Sequence, residues 1–358
     1  MRILFVGGMY RGYRLAQRLL ERGENIVGAF VYEEDAHEAP KYAEHIASLF
    51  ASRNVWCKAT RKITENHAAD VVGRLAPDVI FCLGWRTLIP PGMLAATPRG
   101  GIAVHDSLLP RLRGFAPTNW GMILGHERLG ATLFQLTDEV DAGVIYFQEK
   151  IEPAPRESFA SIQERIAEVS VRLFERFLDG ARAGTLSPRV QCEELASYAC
   201  SRRPQDGEIN WHESSESIDR LVRALGRPGP GAFTYYQGRE LSILDAHALP
   251  NPKKFEGRVI GRVFDRDPAT GTADVLCGEG VLRIARVQRG AEPEQPAAVV
   301  LTSVRESLGM NHSHEIVSLR TRVEELEQLI RRLGASDETQ AGAAEGADRI
   351  PLPRRASA

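Results

Sequence analysis

Two short runs hold the side chains whose types and spacing could move protons. The first is His105-Asp-Ser-Leu-Leu-Pro-Arg-Leu-Arg-Gly114, and the second is Thr137-Asp-Glu-Val-Asp-Ala-Gly143. In an extended segment residues two apart share a face, so Ala103 and His105 point the same way. The proline and glycine that follow place His105 where a strand stops and a loop begins. The second run puts three carboxylates, Asp141 among them, in a tight turn. A histidine and an aspartate on adjacent strand ends can form an acid–base pair, in which the carboxylate orients the ring and favours its charged form. Taken separately, each run also has a plainer reading, as a structural histidine and a solvated acidic turn.

The elements that must hold these runs alternate strand and helix. Apolar strand patterns cover 2–8, 25–32, 78–84, 101–107, 131–136 and 144–148, with helical patterns after 8 (Leu15, Leu19, Leu20) and over 42–50. Continuous apolar strands separated by helices predict a Rossmann-like α/β fold, a mainly parallel sheet with helices on both faces. Such sheets bind ligands beyond the carboxyl ends of their strands. A long amphipathic helix over 158–183 carries Ile162, Ile166, Val169, Leu173, Phe174 and Phe177 on one stripe. From about Tyr198 short β-rich runs at 232–236, 241–244, 257–264, 273–277 and 281–287 predict a small OB-like β-barrel. Ile316, Leu319, Val323, Leu326, Ile330 and Leu333 then follow heptad spacing, which suits either pairing of two protomers through 316–333 or docking on the chain's own barrel. The expected organisation is a catalytic domain at 1–190, an OB-like domain at 198–302, a C-terminal helix at 313–334 and a disordered Ala/Gly/Glu/Asp-rich tail at 335–358.

Composition narrows the classes. A net charge of −2 favours no polyanion or membrane surface. Five scattered cysteines without a C-x-x-C pair argue for a reducing compartment and against a disulfide framework or a cysteine-rich metal site. The apolar run after Met1 is too short for a signal peptide, and no stretch approaches a membrane span, so the cytoplasm is expected. The sequon at Asn311 is then silent. Gly7-Gly8 lacks the remainder of a dinucleotide fingerprint, and no NAD is read from it.

The order His-x-Ser-Leu-Leu-Pro, Arg113-Gly114, then Asp141-Ala-Gly143 resembles the 10-formyltetrahydrofolate-dependent formyltransferases. Within them the chain is most similar to the nucleotide-sugar N-formyltransferases, with methionyl-tRNA formyltransferase as the alternative. The resemblance spans about 1–249 and includes Asp78-Val-Ile-Phe-Cys-Leu-Gly-Trp-Arg86, Arg113-Gly-Phe-Ala-Pro-Thr-Asn-Trp120 and Arg227-Pro-Gly-Pro-Gly-Ala-Phe233. It implies attack of an acceptor amine on the formyl carbon, with 10-formyltetrahydrofolate as co-substrate and no metal. His105 would act on the formyl oxygen or the amine proton, and Asp141 would assist it. Leu83, Gly84, Trp85, Arg86, Leu88, Thr137, Asp138 and Val140 would hold the pterin. Ser107, Leu108, Pro110, Asn119 and Trp120 would lie nearer the acceptor. Residues 201–296 carry fourteen Lys/Arg and fourteen Asp/Glu, a balance that weighs against tRNA.

One departure bears on the chemistry. The resemblance implies an asparagine two residues before the histidine, where this chain has Ala103, and Asp106 stands where a small residue is usual. An amide donor to an oxyanion is worth about 2.7–4 kcal/mol. Another donor (charged His105, a backbone N–H or Asn119) would have to cover that charge. Otherwise the acceptor is a stronger nucleophile such as a hydroxylamine or hydrazine, or the chain binds folate or nucleotide sugar without turnover. Hydrolysis of the formyl donor is a further reading.

Overall fold

A computed structural model describes residues 1–35, 40–310 and 312–345. The sequon residue Asn311 and the end of the tail lie outside the described residues.

The first sheet comprises β1 (Arg2–Gly7), β2 (Asn25–Tyr32), β3 (Cys57–Thr60), β4 (Val79–Leu83), β5 (Gly101–His105), β7 (Leu129–Gln135) and β8 (Ile145–Ile151), in the order β3-β2-β1-β4-β5-β7-β8; a two-residue β6 (Arg113–Gly114) stands outside it. Strands β3 to β5 along that order are parallel, whereas β7 and β8 are antiparallel additions at one edge. Alternation along the strands sends Ile3, Phe5, Phe81 and Ile102 to one face, where α1 (Met9–Glu21), α2 (Ala43–Ala51) and α6 (Phe159–Ala183) cover them. The α6 stripe is the one expected, Ile162 through Phe177, and all six residues are buried. Ser158 caps the helix by accepting from the Ser161 N–H, and Gly184 ends it in the left-handed region.

On the opposite face, Leu4, Val6 and Ile80 are covered by α3 (Glu65–Leu75) and α4 (Pro91–Ala95). That cover reaches only the start of β5, where Leu94 of α4 lies against Gly101. The small cluster around Ala103 contains Leu109, Phe134 and Ile145, all from strands or loops. Among the described residues no helix residue joins this cluster. Around Ala103 the sheet is therefore covered by strand and loop residues.

The linker after α6 runs along β8. It bridges β8 through reciprocal Ile145–Arg189 backbone bonds, then pairs β9 (Tyr198–Ala199) in parallel with β6. The first helix of the second domain is α7 (Ser215–Leu225), capped by Ser214, for which the sequence reading held no expectation. Its sheet runs β10 (Ala232–Tyr236), β11 (Arg239–Ala248), β14 (Val281–Gln288), β13 (Thr272–Leu276), β12 (Val263–Asp267), with β15 (Gln295–Pro296) on β14 and a short α8 (Ala297–Val300). The strands are antiparallel and enclose their own core, centred on Trp211, Ile243, Val275 and Ile284. Among the described residues the ladder does not close between β10 and β12, so the expected barrel is open in hydrogen-bond terms. The expected strand at 257–264 is present only from Val263. The residues before it form a turn at Gly261, whose φ of 77° is open to glycine.

Helix α9 (His312–Glu345) runs beyond the expected end at 334. The tail expected to be disordered from 335 is thus helical as far as Glu345, because its Ala- and Glu-rich start extends a helix already nucleated.

Candidate active site

His105 ends β5 and is 8% exposed. Its Nε2 lies 2.7 Å from the Leu112 carbonyl oxygen, and its Nδ1 lies 3.5 Å from Asp141 Oδ2. A carbonyl only accepts, so the Leu112 contact requires a proton on Nε2 and leaves Nδ1 with the lone pair in the neutral ring. The loop 106–112 that supplies this carbonyl is itself folded back: Ser107 Oγ donates to the Arg111 carbonyl at 2.6 Å.

Asp141 follows β7, the strand next to β5, but leaves it at the end away from His105, so the two residues are not on adjacent strand ends as the sequence suggested. Strand β7 is antiparallel to β5, with Gln135 opposite Ile102 and Thr132 opposite His105. The chain therefore leaves β7 beside the start of β5 and must double back over the sheet to bring Asp141 to His105. Several features fix that return. Asp141 has a φ of 56°. A Cβ at Gly143 would collide with the Gln135 carbonyl oxygen, so only glycine allows the turn to press this close. The Gly114 N–H donates to Asp141 Oδ2 at 2.8 Å, and Gln191 Nε2 donates to the carbonyls of Asp141 and Gly143 at 2.8 and 2.7 Å.

Gln191 is in turn held by Arg113, which is 2% exposed. Arg113 donates to Gln191 Oε1 at 3.2 and 2.9 Å and makes a forked pair with Glu193 at 2.9 and 2.6 Å. Such charge-assisted, bidentate contacts are among the stronger hydrogen bonds. They hold the Glu193 carboxyl below its usual range and push the guanidinium up. Gln191 and Glu193 had no sequence signal, since they lie in an irregular linker without motif or periodicity. Arg113 was legible only as part of the runs 105–114 and 113–120.

Next to His105 on the same strand face is an apolar cluster. Ala103 is 6% exposed and packs with Leu109, Phe134 and Ile145, with Cys82 and Leu136 beside them. Burial pushes the Cys82 thiol up to about 12. No side-chain donor stands at 103. Asn119, one candidate replacement, instead donates from Nδ2 to the Ala224 carbonyl at 2.7 Å and ties α5 (Pro117–Ile123) to α7. Trp120 likewise donates to the Cys200 carbonyl at 2.9 Å and lies under Arg202. Both residues therefore brace the second domain and the linker in this structure. Asp106 is 9% exposed and paired with Arg11, and its Oδ1 has no protein partner.

The residues expected around a pterin fall in two loops. Leu83 is buried and Gly84 has a φ of 71°, because a Cβ there would strike the Gly8 carbonyl oxygen. Trp85 packs edge-on to Tyr32, while Arg86 lies over the same ring at 5.2 Å. Leu88 is 74% and Val140 51% exposed, and Thr137 and Asp138 are exposed beside Val140. Of the expected acceptor residues, Ser107 and Leu108 line a cleft of about 470 Å³ with Asp106, Arg111, His126 and Arg128, whereas Pro110 is not part of that lining. Burial and Arg111 together lower the His126 pKa.

A family model for formyl transferase matches residues 33–178, and one for the formyl transferase C-terminal domain matches 202–305. Among solved structures, the N-formyltransferase from Helicobacter canadensis in complex with folinic acid and dTDP-3-aminofucose is similar at 15% identity and a TM-score of 0.60, covering 80% of this chain and 99% of that one. WlaRD, a sugar 3N-formyl transferase with dTDP and 5-N-formyl-THF, gives 15%, 0.59, 82% and 99%. HypX from Aquifex aeolicus in complex with tetrahydrofolic acid gives 18%, 0.57, 84% and 47%, so the chain spans about half of HypX's length. These likenesses concern the fold. No helix among the described residues is long and apolar enough to cross a membrane. The two family models together cover well over half of the sequence, and the chain belongs to the formyltransferase family, whose one-carbon donor is 10-formyltetrahydrofolate.

Proposed function

We propose that this chain transfers the formyl group of 10-formyltetrahydrofolate to the amine of a nucleotide-linked amino sugar. The observation that carries the reading is the pairing of buried His105 with half-buried Asp141, the ring Nδ1 3.5 Å from the carboxylate and its Nε2 held by Leu112. The amine nitrogen attacks the formyl carbon, and the carbonyl electrons move to oxygen. His105 Nδ1 takes the amine proton, and Asp141 stabilises the imidazolium so formed. Collapse of the tetrahedral intermediate re-forms the carbonyl and breaks the bond to folate N10, which leaves with the proton that His105 returns. With alanine at 103, the oxyanion has the nearby imidazolium rather than a side-chain amide.

The folate side is assigned to the 83–88 and 137–140 loops, whose exposed Leu88 and Val140 suit the flat apolar face of a pterin. The acceptor side is assigned to the cleft beside Ser107 and Leu108, where Arg111 and Arg128 suit phosphate groups. The neutral balance of residues 201–296 favours such a small acceptor over tRNA.

Calorimetric titration with 5-formyltetrahydrofolate, alone and with dTDP-, UDP- and GDP-linked amino sugars, tests the reading. Folate binding strengthened by one nucleotide sugar supports it and selects the acceptor for turnover assays. Turnover no higher than that of a His105→Ala control, across the panel, sinks it. Nucleotide-sugar binding without folate binding points instead to a non-catalytic relative.

A further inference from the structure

Helix α9 carries an apolar stripe that stands exposed among the described residues. Ile316, Leu319, Val323, Leu326 and Ile330 are 52%, 56%, 53%, 45% and 68% exposed. Thr321, Arg322 and Arg331 make hydrogen bonds and ion pairs back onto the helix itself. The spacing alternates three and four, so the stripe follows a heptad in which Ile316, Val323 and Ile330 take position a and Leu319, Leu326 and Leu333 take position d. β-branched residues at a with leucine at d favour two parallel strands, because each packs against its own equivalent across the seam.

The flanking charges make an independent statement. Glu315 and Arg322 occupy successive g positions, and Arg320 and Glu327 occupy the e positions that follow them. In a parallel, in-register pair each g residue meets the e residue of the next heptad on the other helix. That places Glu315 against Arg320 of the second copy and Arg322 against Glu327 of the second copy, both attractive. In an antiparallel pair g meets g and e meets e, and this g-to-e matching is lost. The within-helix pair Arg322–Glu325, at 3.2 Å, joins two exposed groups and can be exchanged at little cost.

We propose that α9 is a homodimerisation element: a parallel, in-register two-stranded coiled coil over 315–333 formed with a second copy of this chain. The seam is under three heptads long, so the association is concentration-dependent and reversible.

Sedimentation velocity on the full chain, from the low-micromolar range upward, tests it with three variants. The wild-type chain is expected to pass from monomer to dimer. Leu326→Glu should raise the dimer dissociation constant at least about 100-fold, since it places two carboxylates in an apolar seam. Arg322→Glu and Glu327→Arg should each raise it about tenfold, because each turns two attractive contacts repulsive. Mixing those two single variants should restore wild-type affinity as a heterodimer, whose g–e contacts are again all attractive. Thermal unfolding of the globular domains at the wild-type temperature shows that each variant is folded. A wild-type chain that stays monomeric throughout overturns the proposal. So does a dimer insensitive to Leu326→Glu, which would place the interface elsewhere. A mixture no tighter than the single variants rules out the parallel register.

Discussion

Two regions beside His105, the Asp141 turn and the Ala103 cluster, are built on opposite principles. Toward Asp141 the surroundings are polar and cross-linked: Arg113 holds Gln191, Gln191 holds the backbone of the acidic turn, and the Gly114 N–H holds its carboxylate. Toward Ala103 they are apolar, with Leu109, Phe134 and Ile145 and no side-chain donor. The first side can orient a base and keep its counter-charge in place. The second can exclude water but offers a developing anion nothing from the side chain at 103. The difference teaches that proton removal and oxyanion stabilisation are separable tasks, and that this chain has invested its side chains in the first.

The sharpest way to break the polar side is His105→Ala. Formyl transfer should fall about 10³-fold, within the range for loss of a positioned base, and single-turnover kinetics should show the loss in chemistry rather than folate binding.

Giving the apolar side what it lacks should have the opposite sign. Ala103→Asn is expected to raise the rate by up to about 10²-fold. An amide among Leu109, Phe134 and Ile145 should also cost about 1–3 kcal/mol of stability. Parallel rate and denaturant measurements separate the two effects. An unchanged rate in a folded variant would mean that another donor already serves the oxyanion.

A smaller effect should come from the linker. Gln191→Ala removes a bridge between Arg113 and the Asp141 turn and leaves two carbonyls without it. It should lower kcat about tenfold with KM for folate nearly unchanged, and cost about 1–3 kcal/mol. A loss of stability with kcat intact would make Gln191 a structural tether only.

The mildest test uses thiols. Burial pushes Cys82 and Cys277 up to about 12 and Cys57 up to about 11, while Cys192 and Cys200 are exposed. Alkylation at pH 8 followed by mass spectrometry should label the exposed pair first, since thiolate is the reactive form. Rapid labelling of Cys82 would show that the apolar side is wet.

The physics of single elements was legible in the residues themselves. The apolar stripe of α6 falls as expected on one buried face, because its 3.6-residue period is local to the helix. Ala103 and His105 share a face, because alternation is local to the strand. His105 and Asp141 were both legible as chemistry-bearing residues from type and turn context. Even the heptad register of α9, and the matching of its flanking charges, is written in spacing alone.

What the sequence could not contain is anything that depends on which strands pair and in which direction. The antiparallel β7 sends Asp141 back over the sheet, where adjacent strand ends had been expected. Asn119 and Trp120 lie in a run that suggested acceptor contacts, yet their polar atoms bond to backbone far along the chain in α7 and the linker. Gln191 reads as an ordinary linker residue until folding brings Arg113 on one side and the Asp141 carbonyl on the other. Side-chain type and period are properties of neighbours in the chain, and the sequence states them directly. Long-range hydrogen bonds join neighbours in space, and only the assembled sheet and linker decide those.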